Sequence, residues 1–285
     1  MIQNNKLYPP SKMSTTTPRI LLLGGHGKVS LLMTPKILSR SWNLTSMVRN
    51  ADHKQDILAA ADKAPKEGRG QLDVLVESIE DVKSEGDAKG ILETVKPDWV
   101  IWSAGAGGKG GSTRTYAIDQ HACIHFIRAS VSTPSITKFL LVSALSSRAT
   151  RAPWWDETSW ELVQKINTEV MPHYYKAKVA ADRALVKLGE ERKGWGWISL
   201  RPGQLSDEEE TGKVSLGRTA ARGAVTRGDV AEVGVRLLER DGVSGWFDLL
   251  GGEEEVGKAV ERVLSEGVDC REGEDLDSVK ESDWA

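Results

Sequence analysis

An α/β fold built on a doubly wound parallel sheet is what this sequence predicts. Three observations predict it: short apolar runs alternate with stretches of helical period, the first run opens into a cluster of glycines, and 285 residues can bury one substantial core with a small appended lobe. Taken in order, the apolar runs place strands at 20–23, 44–48, 74–76, 99–102, 139–142, 197–200 and 246–249. Helical patterns fall between them at 81–95, 115–130, 172–188, 229–238 and 254–264, and a further one follows the glycines. Pro35 sits inside that first helical stretch, where its missing N–H should bend or interrupt the helix.

Two segments depart from the repeat: 148–171, rich in Trp and charge, and 204–227, polar and Gly-containing. Insertions after the carboxyl ends of late strands are where a doubly wound sheet builds its pocket, so both are expected to form a small substrate lobe. The second ends at Thr226-Arg227-Gly228-Asp229, where Thr226 and Asp229 have capping-box spacing with Asp in place of Glu. Residues 1–18 read as a disordered tail, with Met13 a candidate natural start; 19–268 read as one domain including the lobe, and 269–285 as an acidic, solvated tail.

Composition narrows the function classes. A net charge of -3, with no Lys/Arg run interleaved with aromatics, argues against a nucleic-acid partner. Cys123 and Cys270 are too few for a disulfide framework and have no Cys/His cluster around them, so a reduced, cytoplasmic setting without a structural metal is expected. No apolar stretch approaches the roughly 20 residues that span a bilayer. The first 18 residues lack acids, as transit peptides do, but carry neither the apolar core of a signal peptide nor the arginines of a transit peptide.

The glycines carry the most information. Arg19 to Ser30 reads RILLLGGHGKVS, the shape of a strand, a tight turn and a helix N-terminus, where unpaired N–H groups and the helix dipole hold a pyrophosphate. Gly25, Gly27 and Ser30 fill G-x-G-x-x-G with serine in the third slot, and Gly24 also allows a G-x-x-G reading. That makes the fold a Rossmann type. In it the residue after the second strand faces the adenosine ribose, where an acid accepts the 2′-hydroxyl of NAD and an arginine meets the 2′-phosphate of NADP. Arg49 stands there, which favours NADP(H) over NAD(H). Lys28 is placed to reach a cofactor phosphate, and His26 reads as a turn residue near it. The fourth strand runs into Ser103-Ala104-Gly105, small residues that let a cofactor lie against the backbone, while the glycines beyond read as a linker.

Tyr174 and Lys178 are four apart, so on a helix opened by Pro172 they share a face. An ammonium beside a phenol favours the phenolate and should lower the tyrosine from its usual value near 10, and such a tyrosine passes a proton to a carbonyl oxygen as hydride reaches the carbon.

Together, the glycine turn, Ser103-Ala104-Gly105, Tyr174-x-x-x-Lys178 with Ala180-Ala181-Asp182, and Leu200-Arg201-Pro202-Gly203 resemble the atypical short-chain dehydrogenase/reductases. Within them the chain is similar to the NAD(P)-binding group with a GGHGKV-type turn, best represented by fungal proteins. The likeness runs from about Arg19 to Leu264 and includes Thr211 to Gly217 and Thr226 to Ala231. It implies that Gly24, Gly25, Gly27, Lys28 and Val29 hold the pyrophosphate, Arg49 the 2′-phosphate, and Ser103, Ala104 and Gly105 the central ribose. It further implies that Lys178 bonds the nicotinamide ribose and that Pro202 and Gly203 lie beside the nicotinamide. The chain departs from the pattern twice. Glu77-Ser78-Ile79 stands where many relatives place an aspartate toward adenine, and Leu145 occupies the slot expected for the catalytic serine, leaving Ser143, Ser146 or neither.

Other features have plainer readings. Trp154, Trp155 and Trp160 stack on a ligand or form the lobe's own core; Arg148 and Arg151 meet an anionic substrate or sit on the surface; His121 and His125, at i, i+4, read as a core or surface pair with no metal. The expectation is an NADP(H)-dependent oxidoreductase acting on a small carbonyl or related compound, with Tyr174 as acid. A non-catalytic NAD(P)-binding redox sensor and a flavin or quinone reductase are the alternatives.

Overall fold

The computed structural model describes residues 17–107 and 110–276. Most of the disordered tail expected over 1–18, the end of the acidic tail beyond 276, and two residues within the expected glycine linker, Gly108 and Lys109, lie outside the described residues. In chain order the elements are β1 (Arg19–Leu23), α1 (Lys28–Leu38), β2 (Asn43–Val48), α2 (Lys54–Ala61), β3 (Leu72–Val76), α3 (Glu85–Val95), β4 (Trp99–Trp102), α4 (Gly111–Thr115), α5 (Cys123–Ser132) and β5 (Lys138–Val142). They continue with α6 (Glu157–Lys165), α7 (Pro172–Glu191), β6 (Gly196–Pro202), β7 (Gln204–Ser206), β8 (Lys213–Leu216), β9 (Ala224–Thr226), α8 (Arg227–Leu238), β10 (Gly245–Gly251), β11 (Glu254–Glu255) and α9 (Val256–Ser265).

The seven predicted strands form the parallel body of the sheet in the order β3-β2-β1-β4-β5-β6-β10. β8 adds to β10 antiparallel, and β11 to β8, extending the edge. One helical layer packs α1 against α2 and α8, and α8 against α9; the other packs α5 against α3 and α7. Two covered faces explain why β1 is apolar from Ile20 onward: Ile20, Leu21, Leu22 and Leu23 are all buried. The strand order reverses between β1 and β4, so a crevice opens beyond their carboxyl ends.

Several expectations change. α1 runs unbroken through Pro35, because Met33, Ile37 and Leu38 on either side of it are buried in the core and hold the helix where the lost hydrogen bond would release it. The helix expected at 115–130 is instead α4, a π-helical segment over 116–122, and α5. Residues 269–276, expected as the start of a solvated tail, fold back onto the domain: Cys270 is buried and its N–H donates to the Trp246 carbonyl, and Glu274 accepts from the Ala149 and Thr150 N–H groups.

The lobe is built from 148–171 and from β7 to β9, and its tryptophans are its own core. Trp155 and Trp160 pack with Leu145, Ala152, Val163, Ala221 and Leu250, and the Trp154 and Trp155 indoles both donate to the Thr219 carbonyl at 3.0 and 2.9 Å. That decides against ligand stacking by these rings. Arg148 is neither a substrate ligand nor a surface residue; it is fully buried, donating to the Cys270 and Glu272 carbonyls of the returning segment.

Candidate functional site

The glycine turn is shaped by contact. Gly24 has φ +82°, and a Cβ there would lie 2.6 Å from the Ala104 Cα; a methyl on Gly25 would overlap the Ser46 hydroxyl. The Gly25 N–H donates to the Met47 carbonyl and the Gly27 N–H to the Gly24 carbonyl, which closes the turn against β2. α1 then begins with Gly27 as its cap, no side-chain cap bond and no acid in its first turn, so its opening N–H groups face the crevice without a carboxylate of their own.

Two cavities meet at this turn. The first, about 540 Å³, has Gly24, Gly25, His26 and Arg49 in its wall, with Glu77, Ser78 and Ile79 opposite. The second, about 640 Å³, has Val29, Ser143, Tyr174 and Lys178. Gly27, Lys28, Ser103, Ala104 and Gly105 line both, as do Ala106, Gly107 and Arg227. The two cavities thus share one floor of small residues, which fits a dinucleotide laid across the glycine turn. The glycines beyond Gly105, read as a linker, also take part: Gly107 lines both cavities and Gly111 the second. Pro202 and Gly203 lie outside the described walls of both. Gly203 is pressed between Gly223 and Leu250, and its N–H donates to the Leu249 carbonyl, so its lack of a side chain serves the joint between sheet and lobe.

Arg49 donates to Glu80 at 3.0 Å, and Arg114 from α4 grips the same carboxylate at 2.9 Å. The Arg114 hydrogen bond, with help from Arg49, holds Glu80 below the usual carboxylate range. His26 stacks face to face on His53 with ring centroids 3.7 Å apart, and its Nε2 meets Asp56 at 2.7 Å.

In the second cavity Lys178 is buried and donates to the Val142 carbonyl at 2.9 Å, at the end of β5. Burial presses its ammonium to lose a proton, but Tyr174, Asp119, Cys123 and Asp182 outweigh that and hold its pKa above the usual lysine value. Tyr174 is part-exposed to the cavity. Contrary to the lowering expected from Lys178, burial pushes the phenol above its usual range and the ammonium offsets only part of the rise. The proton stays on the phenol.

Ser143 lines the cavity, but its hydroxyl donates to Asp182 at 2.6 Å. Asp182 also accepts from Ser147 at 2.8 Å, Ser199 at 2.7 Å and Arg201 at 2.7 Å. Ser143 therefore has no donor left for a ligand, Ser146 is not in either described wall, and Leu145 belongs to the lobe core.

Asp119 escaped sequence reasoning. It sits on the π-helical segment, is buried, lines the second cavity and accepts from the Ala106 N–H at 2.9 Å. Burial pushes its carboxyl above the ordinary value against the pull of Lys178. Its signal was present: it lies between Ile118 and Ala122 on the apolar side of a helical stretch, where a lone acid is out of place. Tyr116 and His173 share a 3.1 Å hydrogen bond, and His173 lines the same cavity. His121 and His125 hold no metal-like group: among the described residues, no cluster of three or more His, Cys, Asp or Glu could do so. No helix among them is long and apolar enough to cross a membrane.

Comparison with known proteins agrees with this geometry. A family model described as NAD(P)H-binding matches residues 24–241. Over 252 residues the chain is 30% identical to a UPF0659 protein of Schizosaccharomyces pombe, covering 87% of this chain and 95% of that one. It is 28% identical over 247 residues to a Bacillus subtilis protein named as an uncharacterized sugar epimerase, YhfK, covering 86% and 100%. Among solved structures it is similar to a putative NAD-dependent epimerase/dehydratase from Bacillus halodurans, with TM-score 0.65, 25% identity and coverage of 86% and 99%.

Proposed function

The chain belongs to the NAD(P)H-binding family, and from that premise we propose that it is an NADPH-dependent reductase of a small carbonyl or related reducible compound. The observation that carries the reading is Tyr174 and Lys178 on one face of α7, in a cavity continuous with the glycine turn. The 2′-phosphate falls to Arg49, and the glycine turn with Lys28 takes the pyrophosphate. A bound nicotinamide supplies hydride. Tyr174 keeps its proton until a carbonyl oxygen gains negative charge, then gives it up, and Lys178, anchored on the Val142 carbonyl, stabilises the phenolate left behind. A phenol that keeps its proton is available as the acid for this step. The free, buried Cys123 and Cys270 are in keeping with a reducing, cytoplasmic setting.

One observation favours a second reading, the non-catalytic NAD(P)-binding sensor: the Ser143 hydroxyl is committed to Asp182. NADPH consumption over a panel of carbonyls and quinones separates the two. Tyr174→Phe is expected to lower turnover by about 10²–10⁴ with NADPH binding retained. Full activity in the variant would remove tyrosine from the mechanism, and tight NADPH binding without turnover in the wild type would favour the sensor.

A further inference from the structure

Lys28 and Arg227 line both cavities, and one carboxylate stands between them. Lys28 opens α1 and Arg227 opens α8, while Asp207 follows β7 in the lobe. The Lys28 ammonium donates to Asp207 Oδ2 at 2.5 Å and the Arg227 guanidinium to Oδ1 at 2.7 Å, so each oxygen of a single carboxylate takes its own cation. The segment is acidic throughout, Asp207-Glu208-Glu209-Glu210, and Glu210 fastens to Lys36 farther along α1 at 2.8 Å. It lies along the helix that leaves the glycine turn.

Stability does not account for the Lys28 pair. Lys28 and Asp207 have 65% and 62% of their side-chain surface exposed, and pairs this open contribute little to folding. The place does account for it. The two cations converge where the first cavity passes into the second, beside N–H groups of α1 that carry no cap of their own. Such a position calls for an anion, and the lobe supplies one.

We propose that Asp207 is an internal counter-anion that holds Lys28 and Arg227 in the unliganded protein and yields them to the cofactor's diphosphate. Arg227 is then a phosphate ligand contributed from the lobe side, and Asp207 sets how tightly any nicotinamide dinucleotide binds. The inference rests on the cofactor reading above. It differs from the role of Arg49, because a diphosphate is common to NADPH and NADH while the 2′-phosphate is not.

Dissociation constants for NADPH and NADH, measured by fluorescence titration on the full chain without substrate, test it. Arg227→Gln is expected to weaken both cofactors by about tenfold, leaving their ratio unchanged. Asp207→Asn, and Asp207→Ser as a second variant, should tighten both by about threefold to fivefold, and the gain should shrink in an Arg227→Gln background. Wild-type affinity in Arg227→Gln, or no gain in either Asp207 variant, would overturn the proposal while wild-type binding leaves the cofactor reading intact. A wild type that binds neither dinucleotide would overturn that reading and the proposal with it.

Discussion

Arginine meets carboxylate in two regions of this molecule, with opposite consequences. Behind the second cavity, Arg201 lies between Asp182 and Asp248 at 2.7 and 3.1 Å, all three side chains fully buried, with its guanidinium 3.9 Å from the Trp246 ring centroid. Around the nucleotide cavity, Arg49 with Glu80 and Lys28 with Asp207 have similar distances, but these side chains are 37% exposed or more. The buried group links α7, β6 and β10 and fixes Ser143, Ser147 and Ser199 in place. The outer pairs are open to solvent. Burial, rather than the identity of the pair, decides which arginine is architecture and which stays accessible to solvent.

The sharpest way to break the contrast is to remove Arg201. Arg201→Ala leaves two carboxylates facing each other without water, and is expected to cost about 3–5 kcal/mol, lowering the melting temperature by on the order of 10 °C. A loss no larger than that of a surface substitution would show that the buried group is not architectural.

Asp248 sharpens the same point by pH. Burial raises its pKa from 3.8 to about 6 against the attraction of Arg201 and Arg148, and its Oδ2 has no hydrogen-bond partner among the described residues. A carboxyl raised on folding binds its proton more tightly in the folded state. Its contribution is therefore complete below about pH 4 and is lost as pH climbs through 6, a decline of ~3 kcal/mol. Urea unfolding across this window should show that decline in the wild type relative to Asp248→Asn; parallel curves would show that Asp248 does not titrate there.

The smallest effect belongs to the outer region. Arg49→Ala should leave the melting temperature within measurement of wild type and weaken NADPH by about tenfold more than NADH. Equal losses for the two cofactors would remove Arg49 from 2′-phosphate recognition.

Much of the fold could be read in the chain because it depends on local pattern. The seven parallel strands lie where the apolar runs placed them, since a strand covered on both faces, as the inner ones are, leaves a continuous apolar signature. Glu254 and Glu255 were read as helix because they precede an amphipathic run, but they pair with β8, which no local pattern reveals. The site was legible wherever spacing alone makes geometry: the glycines of a turn, an arginine at a strand end, a tyrosine and lysine one helical turn apart. It was illegible wherever a side chain's role depends on what lies across the sheet. Ser143 was a candidate donor until Asp182, 39 residues away, claimed its hydroxyl. Arg148 was a surface or substrate residue until the returning segment closed over it.

The sequence by itself determined the doubly wound sheet, the glycine turn and the shared face of Tyr174 and Lys178, because each follows from periodicities of a few residues. Only the tertiary structure decided that the phenol keeps its proton, that Asp119 joins the cavity, and that Asp207 stands between Lys28 and Arg227. Those outcomes depend on desolvation and on charges brought together over distances of up to 179 residues, which the order of residues does not display.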